Sequence, residues 1–319
     1  AGGRGEPSVT IGSDAPPRPE RPLTRIHGRA LVAAAHAHRS AIPAFNVSNL
    51  ETAQGVIAAA EDAGAPVILQ ISPGAIAYAG YRPLTRLVMD LADHAAVPVV
   101  VHLDHCRDPD LVERAIRDGY GSVMFDGSLL PYADNVATTA RLVQVARDID
   151  ERIGVEGELG RIGGREDTDP DDAWASRTTP DEAAAFVAAT DVDVLAPNLG
   201  NLHRMPDDST RLDLERIAAI SSAADRPIAL HGGSGIDQAQ LRGAIQAGVA
   251  KINISSRVSR ALAAGIRMTW DGRPDELDLR RFLGAGRERV QAMAASYFSI
   301  TGRTSPRQVP WAVGATPRW

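Results

Sequence analysis

The sequence predicts a single-domain α/β protein built as a closed (β/α)8 TIM barrel, and three observations support this prediction. Short apolar runs alternate with helical patterns along the chain, and eight such runs follow one another in series. The runs are rich in β-branched residues and apolar enough to be buried on both faces, as parallel strands require. A doubly wound open sheet is the alternative, but it gives less reason for eight units.

The eight predicted strands and their intervening helices have recognisable boundaries. One helix, LETAQGVIAAAEDAG, keeps its apolar positions on one face and stops at Gly64. Another begins with the cap Asp108 and ends at Gly119, and a third has Thr179 before Pro180. The strands are predicted over residues 44–47, 66–72, 98–105, 122–127, 153–160, 192–200, 227–233 and 249–256.

Composition excludes several classes of function. The chain has 319 residues with a net charge of −6, which argues against general nucleic-acid or membrane-surface binding, because such binding requires clustered positive charge. Uninterrupted apolar runs are too short to span a bilayer. A single cysteine allows no internal disulfide, which fits a cytoplasmic location.

The two ends of the chain differ from its middle. Residues 1–22 are rich in Gly, Pro and charge, which predicts a flexible N-terminal arm. Residues 23–302 hold the predicted barrel, and residues 303–319 form an irregular tail. The tail contains two tryptophans, which suggests docking on another surface, such as a second subunit.

Polar residues collect where the predicted strands end. In a barrel of this kind the active site lies at the carboxyl ends of the strands, so these residues are expected to form one site. They are Asn46, Gln70, Ser72, Asp104, His105, Asp126, Ser128, Glu156, Glu158, Asn198, His203, His231, Ser234, Asn253 and Ser255.

Three histidines in this set suggest a metal site. His105, His203 and His231 follow different strands, and three imidazoles at one barrel mouth can hold zinc with a position open for substrate. Glu158 could supply a further ligand. His102 is expected to support the ligands, and Cys106 is interpreted as a small buried thiol because no base is assigned to it.

Two segments at the ends of the last two strands, the first of them rich in glycine, predict an anion site. The segment LHGGSGI (230–236) follows the seventh strand and KINISSR (251–257) follows the eighth. Gly-rich backbone exposes N–H groups, and these two loops are the usual phosphate site of the fold. Ser234 and Ser256 could add hydroxyl donors.

These motifs together resemble a known family. AFNVSNLET, QISPGAIAYAG, HLDH, SVMFDGS, VEGELGRIGGRED, GNLH, LHGGSG and KINIS, in that order, are similar to the motifs of class II, zinc-dependent ketose-bisphosphate aldolases, which include fructose- and tagatose-bisphosphate aldolases. The resemblance runs from about residue 25 to about residue 302 and is specific for the family, not for a substrate.

The resemblance implies an aldolase that makes or cleaves a carbon–carbon bond next to a ketone, through a metal-stabilised enediolate. One zinc ion would be held by His105, His203 and His231, with Glu158 as an alternative ligand or a supporting residue. Asp104 would exchange the proton of the aldehyde-derived oxygen, and Glu166 would take the proton from the donor carbon.

The resemblance also implies the substrate contacts and partners. Dihydroxyacetone phosphate would be the donor, a monovalent cation could lie near its phosphate, and the enzyme would form a homodimer or homotetramer. The substrate-binding residues would be Asn46, Gln70, Ser72, Gly232, Gly233, Ser234, Asn253, Ile254, Ser255 and Ser256, with Arg204 added by its position next to His203.

The residues themselves disfavour the other aldolase mechanism, which forms a Schiff base. Lys251 is the only lysine in the chain, and it opens the eighth run, too early to reach the barrel mouth.

Three departures from the family pattern bear on the substrate. The family's GxxHG reads GNLHR here, so Arg204 replaces a glycine whose backbone helps to hold the donor phosphate. HLDHG has become HLDHC, and Ser255 and Ser256 stand where the family often has Thr or Asp. Arg204 could bind an anion through its side chain or fill the pocket.

Two alternative functions follow from these departures. One is the same zinc chemistry on a non-standard donor or acceptor in a specialised pathway. The other is a non-catalytic barrel that binds a sugar phosphate, which the complete set of Asp104, Glu166 and three histidines disfavours.

Overall fold

The structure confirms the closed barrel. It is a computed structural model that describes residues 24–160, 177–200 and 211–301. Eight parallel strands pair in chain order, and the last strand pairs with the first. The strands are β1 (Ile42–Asn46), β2 (Val67–Ile71), β3 (Val99–Cys106), β4 (Ser122–Phe125), β5 (Gly154–Leu159), β6 (Val194–Pro197), β7 (Ile228–Leu230) and β8 (Val249–Ile254).

Helices surround the barrel between successive strands, with two of them after β2 and two after β8. The described helices are α1 (Gly28–Ala37), α2 (Leu50–Ala63), α3 (Pro73–Ala79), α4 (Tyr81–His94), α5 (Pro109–Arg117), α6 (Tyr132–Ile149), α7 (Pro180–Thr190), α8 (Leu214–Ala224), α9 (Gln238–Ala247), α10 (Ser256–Gly272) and α11 (Leu279–Phe298). The predicted arm at residues 1–22 and the predicted tail at 303–319 lie outside the described residues.

The predicted helix boundaries have the expected caps. Asp108 accepts a hydrogen bond from the Asp110 N–H at the start of α5, and Thr179 forms a capping box with Glu182 at the start of α7. Helix α2 ends at Gly64, whose φ of 59° is left-handed. These local signals explain why the helix ends were readable from the sequence.

Two apolar regions hold the barrel together. The larger lies between the strands and the surrounding helices, where Phe45 of β1 packs against Tyr297 and Phe298 of α11, with ring centroids 5.8 and 6.1 Å apart. The smaller fills the barrel interior near the amino ends of the strands, where Leu31 and Val32 of α1 close that end. Most of the polar residues predicted for the site lie nearer the carboxyl ends of the strands, above this apolar layer.

A membrane span requires a helix that is both long and apolar. Among the residues that the structure describes, no helix combines the length and the apolar character needed to cross a bilayer.

Candidate metal and substrate site

Strand β3 supplies two consecutive residues to the barrel mouth. Alternation along a regular strand directs His102 and Asp104 into the interior and would direct His105 outward. The register of β3 against β4 shifts between Leu103 and Cys106, and His105 has a left-handed φ of 46°. This irregularity turns the His105 ring back toward the site. A non-glycine residue adopts this conformation at a cost of about 1–3 kcal/mol, which the surrounding barrel offsets at His105.

A cluster of possible metal ligands lies at this level. Among the described residues, His105, Glu158 and His231 each offer a ligand atom, and these atoms lie within 4.8 Å of one another. His105 Nε2 is 2.6 Å from His231 Nδ1, and His105 Nδ1 is 3.4 Å from Glu158 Oε2. All three residues are buried, with His231 completely inaccessible. The structure thus brings together three of the four predicted ligands.

The hydrogen bonds fix which nitrogen of His231 faces the cluster. Its Nε2 lies 2.8 Å from Glu156 Oε1, and a carboxylate only accepts hydrogen bonds, so Nε2 carries the proton. Nδ1 then presents its lone pair toward the ring nitrogen of His105. Burial, His105 and Lys251 hold the pKa of His231 well below its usual value, so the ring is neutral. A neutral imidazole with an inward lone pair fits a metal ion.

Asp104 lies beside the ligand cluster, held by two amides. Asn46 Nδ2 donates to its Oδ2 at 2.7 Å, and Asn253 Nδ2 donates to its Oδ1 at 3.3 Å. Gln70 Nε2 donates in turn to Asn46 Oδ1 at 3.1 Å. Asp104 is 2% exposed, so these contacts orient a buried carboxyl group toward the site. Three predicted polar residues therefore support Asp104 directly or through one neighbour.

Two buried amide oxygens in this network lack hydrogen-bond partners among the described residues. They are Gln70 Oε1 and Asn253 Oδ1. Asn253 Nδ2 is also 3.3 Å from His231 Nε2, so this amide lies between Asp104 and the ligand cluster. Buried acceptors at a barrel mouth are suited to hydroxyl groups of a polyhydroxylated substrate.

The predicted phosphate loops have the expected backbone. Gly232 has a φ of 68°, and residues Gly233–Gly235 form a single 3₁₀ turn. A Cβ on Gly233 would lie 2.9 Å from the carbonyl oxygen of Asn253, so only glycine allows the two loops to approach this closely.

Residues of the strand-eight motif complete this region. Ser234 Oγ accepts hydrogen bonds from the N–H groups of Ser255 at 3.1 Å and Arg257 at 3.4 Å, and Ser256 begins α10. The side chain of Ile254 packs into the outer apolar cluster, so this residue can offer only its backbone. The N-terminus of a long helix next to a glycine turn is suited to an anion.

Other predicted residues lie differently or outside the described part of the chain. The Ser72 hydroxyl accepts a hydrogen bond from Ala75 N–H and so caps α3. Glu166, His203 and Arg204 fall outside the described residues, and their predicted roles stay predictions.

Asp126 is a carboxylate behind the candidate ligands, and the sequence had placed it only among the polar residues at the strand ends. Asp126, which follows β4, accepts a hydrogen bond from Arg107 Nε at 2.9 Å and lies 3.9 Å from His105 Nδ1. Burial alone would raise the pKa of Asp126, but His105 and Arg107 outweigh it and lower that pKa. The position of Asp126 at a strand end was visible in the sequence, but its contact with His105 depends on the β3 irregularity.

Cys106 is buried, as the sequence suggested. Its Sγ donates to the Asp108 carbonyl oxygen at 3.3 Å, and burial raises the pKa of the thiol to about 11. The reactive thiolate is therefore scarce near neutral pH.

This environment gives a testable prediction for Cys106. Cys106→Ala is expected to leave the activity of the protein close to that of the parent and to lower the free energy of unfolding by about 1 kcal/mol, as for a small truncation in a packed core. Iodoacetamide at neutral pH is expected to leave the parent active. Steady-state kinetics and denaturant unfolding measure both effects. Loss of turnover in a folded Cys106→Ala variant would contradict the structural role.

The fold and this cluster define a class: an α/β-barrel enzyme with a candidate histidine–carboxylate metal site at the carboxyl ends of its strands. A family model described as "Fructose-bisphosphate aldolase class-II" matches residues 27–305. The chain therefore belongs to the class II fructose-bisphosphate aldolase family, and it is an aldolase, a lyase.

Individual proteins similar to this chain are also named as aldolases. The chain is 36% identical over 269 residues to a sulfofructosephosphate aldolase of Alkalicoccus urumqiensis, covering 84% of this chain and 93% of the relative. It is 36% identical over 301 residues to a fructose-bisphosphate aldolase of Thermus caldophilus, covering 87% and 98%. The crystal structure of the YdjI aldolase from Escherichia coli K12 superposes with a TM-score of 0.76 at 30% identity, covering 87% and 97%. The family resemblance drawn from the motifs is confirmed.

Proposed function

We propose that this protein is a zinc-dependent aldolase acting on a phosphorylated ketose, with dihydroxyacetone phosphate as the donor fragment. The observation that carries the proposal is the convergence of His105, Glu158 and His231 beside Asp104 at the mouth of a barrel of this family. Imidazole and carboxylate groups are the ligands that catalytic zinc sites use.

Each residue has a role in this proposal. His105 and His231, together with His203 from outside the described residues, would hold the zinc ion, with Glu158 as a further or alternative ligand. When bound, zinc would supply Lewis-acid chemistry that stabilises negative charge developing on the substrate.

Two carboxyl groups would transfer protons in this reaction. Asp104, oriented by Asn46 and Asn253, exchanges a proton with the oxygen of the departing or arriving aldehyde. Glu166 exchanges the proton of the donor carbon.

The donor phosphate would bind where the glycine-rich turn after β7 meets the segment that follows β8. Gly232, Gly233 and Ser234 meet the start of α10 there, and backbone N–H groups and the helix dipole favour an anion. Arg204 would add a planar set of side-chain donors where relatives use backbone. A monovalent cation near this phosphate is part of the same proposal.

A Schiff-base mechanism is disfavoured by the environment of Lys251. Its ammonium group is buried and donates to Glu156 Oε2 at 2.7 Å. A nucleophilic amine has to be neutral and accessible to the ketone, and an ion pair inside the barrel opposes both conditions.

A second candidate is the same chemistry on a non-standard substrate. Two observations favour it: Arg204 follows a predicted metal ligand, and one relative at 36% identity is named for a sulfonated sugar phosphate. The two candidates share the aldol chemistry and differ in the donor or acceptor that the site accepts.

A retro-aldol screen distinguishes these candidates. Zinc-loaded protein would be tested with ketose bisphosphates, ketose monophosphates, a sulfonated ketose phosphate and unphosphorylated ketoses, with release of the aldehyde as the measurement. Cleavage restricted to phosphorylated substrates is expected. Equal turnover of unphosphorylated ketoses would contradict the phosphate assignment, and preference for the sulfonated sugar would establish the second candidate.

The proposal extends to the oligomeric state of the protein and to its location in the cell. We expect a homodimer or homotetramer, which light scattering in solution measures, and a cytoplasmic location.

A further inference from the structure

The only lysine of the chain lies inside the barrel. Lys251 on β8 is 1% exposed and stands in register with Ile42 of β1 and Ala229 of β7. Neighbouring inward positions at the amino end of the barrel are apolar. Because burial of a cation is unfavourable unless it is paired, the placement of a lysine at this level requires a specific partner.

That partner connects the lysine to the ligand cluster. Lys251 Nζ donates to Glu156 Oε2 at 2.7 Å, while the other oxygen, Oε1, accepts from His231 Nε2 at 2.8 Å. Glu156 is 2% exposed, so water does not screen these contacts. A single carboxylate therefore bridges the lysine and a candidate metal ligand.

A second contact fixes the lysine from the other side. Lys251 Nζ lies 3.4 Å from His102 Nε2, and His102 Nδ1 lies 2.7 Å from Ser122 Oγ. Since the ammonium group only donates, His102 Nε2 is the acceptor and its Nδ1 carries the proton toward Ser122. Burial and the Lys251 charge hold the pKa of His102 well below its usual value, which agrees with a neutral ring. The contacts form one buried row: Ser122, His102, Lys251, Glu156 and His231.

The charges of Lys251 and Glu156 determine which nitrogen of His231 carries the proton. A carboxylate at Glu156 accepts from His231 Nε2 and leaves the Nδ1 lone pair facing His105 Nε2, 2.6 Å away. An amide at position 156 could donate to Nε2 instead and turn the lone pair away from the cluster. Without Lys251, the Glu156 carboxylate would be a buried charge that has lost this ion pair.

We propose that Lys251 is a positioning residue for the metal site: its ammonium group compensates and orients the Glu156 carboxylate, which holds His231 with Nδ1 directed at the metal. This inference rests on the proposed metal site but not on the proposed substrate. Partners of metal-binding histidines typically contribute about 10–100-fold to metal affinity.

The test measures zinc affinity without substrate. The dissociation constant for zinc is obtained by competition with a chromophoric chelator for the parent, Lys251→Met and Lys251→Arg, and Co²⁺ absorption spectra report the coordination. Lys251→Met is expected to weaken zinc binding by about 10–100-fold and to alter the Co²⁺ spectrum. Lys251→Arg, which keeps the charge, is expected to restore part of the affinity.

A matched control separates positioning from general stability. Arg147 forms an ion pair with Asp193 at 2.6 Å near the amino ends of the strands, away from the ligand cluster. Arg147→Met removes an ion pair whose aspartate keeps its contact with Arg29, and it is expected to keep the parent zinc affinity. Thermal unfolding of each metal-free variant shows whether the fold is retained.

Glu156→Gln keeps the proposal testable if Lys251→Met does not fold. This nearly isosteric change is expected to weaken zinc binding by about 10–100-fold as well. Parent-like zinc affinity in a folded Lys251→Met variant, or in Glu156→Gln if the former does not fold, would overturn the proposal. Because no substrate is present, failure of the aldol screen leaves this result unchanged, and the converse also holds.

The single lysine permits one further measurement. Labelling with ¹⁵N-lysine gives one side-chain Nζ signal, which needs no assignment because no other lysine exists. Zinc is expected to shift this signal in the parent through Glu156 and His231, and to shift it less in Glu156→Gln. A signal that zinc leaves unchanged in the parent would count against the proposed coupling.

Discussion

His231→Ala is expected to remove most of the bound metal and with it the aldolase activity. The substitution deletes a buried nitrogen ligand together with its contacts to Glu156 and Asn253, and alanine offers no ligand atom in its place. We therefore expect zinc affinity to fall by more than the roughly 10–100-fold that loss of a supporting hydrogen bond typically costs. Metal content by atomic emission and turnover of the best ketose phosphate measure the effect.

Chelation provides the complementary experiment. Dialysis of the parent against a chelator is expected to abolish turnover, and zinc or cobalt is expected to restore it. His94→Ala is the matched control, because His94 is an exposed residue at the end of α4 whose side chain is 72% accessible. It should retain parental metal content and turnover. Full activity of a metal-free parent sample would refute the metal assignment.

Asp104→Ala is expected to slow carbon–carbon cleavage while zinc remains bound. Asp104 is not among the clustered ligands, but its carboxyl group lies beside them and is held by Asn46 and Asn253. Removal of a positioned acid or base typically lowers the rate by about 10²–10⁴-fold. Single-turnover cleavage and zinc content, measured on the same sample, separate the two properties.

Asp104→Asn refines this prediction. The amide keeps the size of the side chain but cannot act as an acid or base at ordinary pH, so a similar loss of rate is expected with little change in zinc content. Asp110→Ala, an exposed carboxylate in the first turn of α5, serves as the control and should leave the rate unchanged. Cleavage by Asp104→Asn at the parental rate would show that this carboxyl group transfers no proton.

Much of the architecture was predictable from the sequence because its signals are local. The eight apolar runs became the eight strands of a closed barrel, and the caps Asp108 and Thr179 begin helices as predicted. The long collinear motifs identified the aldolase family, which the family model confirms. The strand ends also indicated the site, since parallel strands of a barrel bring their carboxyl ends to one face.

The apolar runs and collinear motifs were sufficient to predict the barrel, the family and the residue types at its mouth. Which of those residues contact one another depends on the folded chain. Alternation along β3 predicts that His105 faces away from the interior, and only the β3 irregularity, with its left-handed φ of 46°, turns the ring toward His231. From the sequence, Lys251 could be placed only at the start of the eighth strand, too early to reach the barrel mouth and form a Schiff base. Its pairing with Glu156 and His102 joins β3, β5 and β8, and the register between strands brings these side chains together. Contacts of this kind depend on the closure of the barrel. Lys251 and Glu156 are more than ninety positions apart in the chain, so no local sequence pattern reveals their contact.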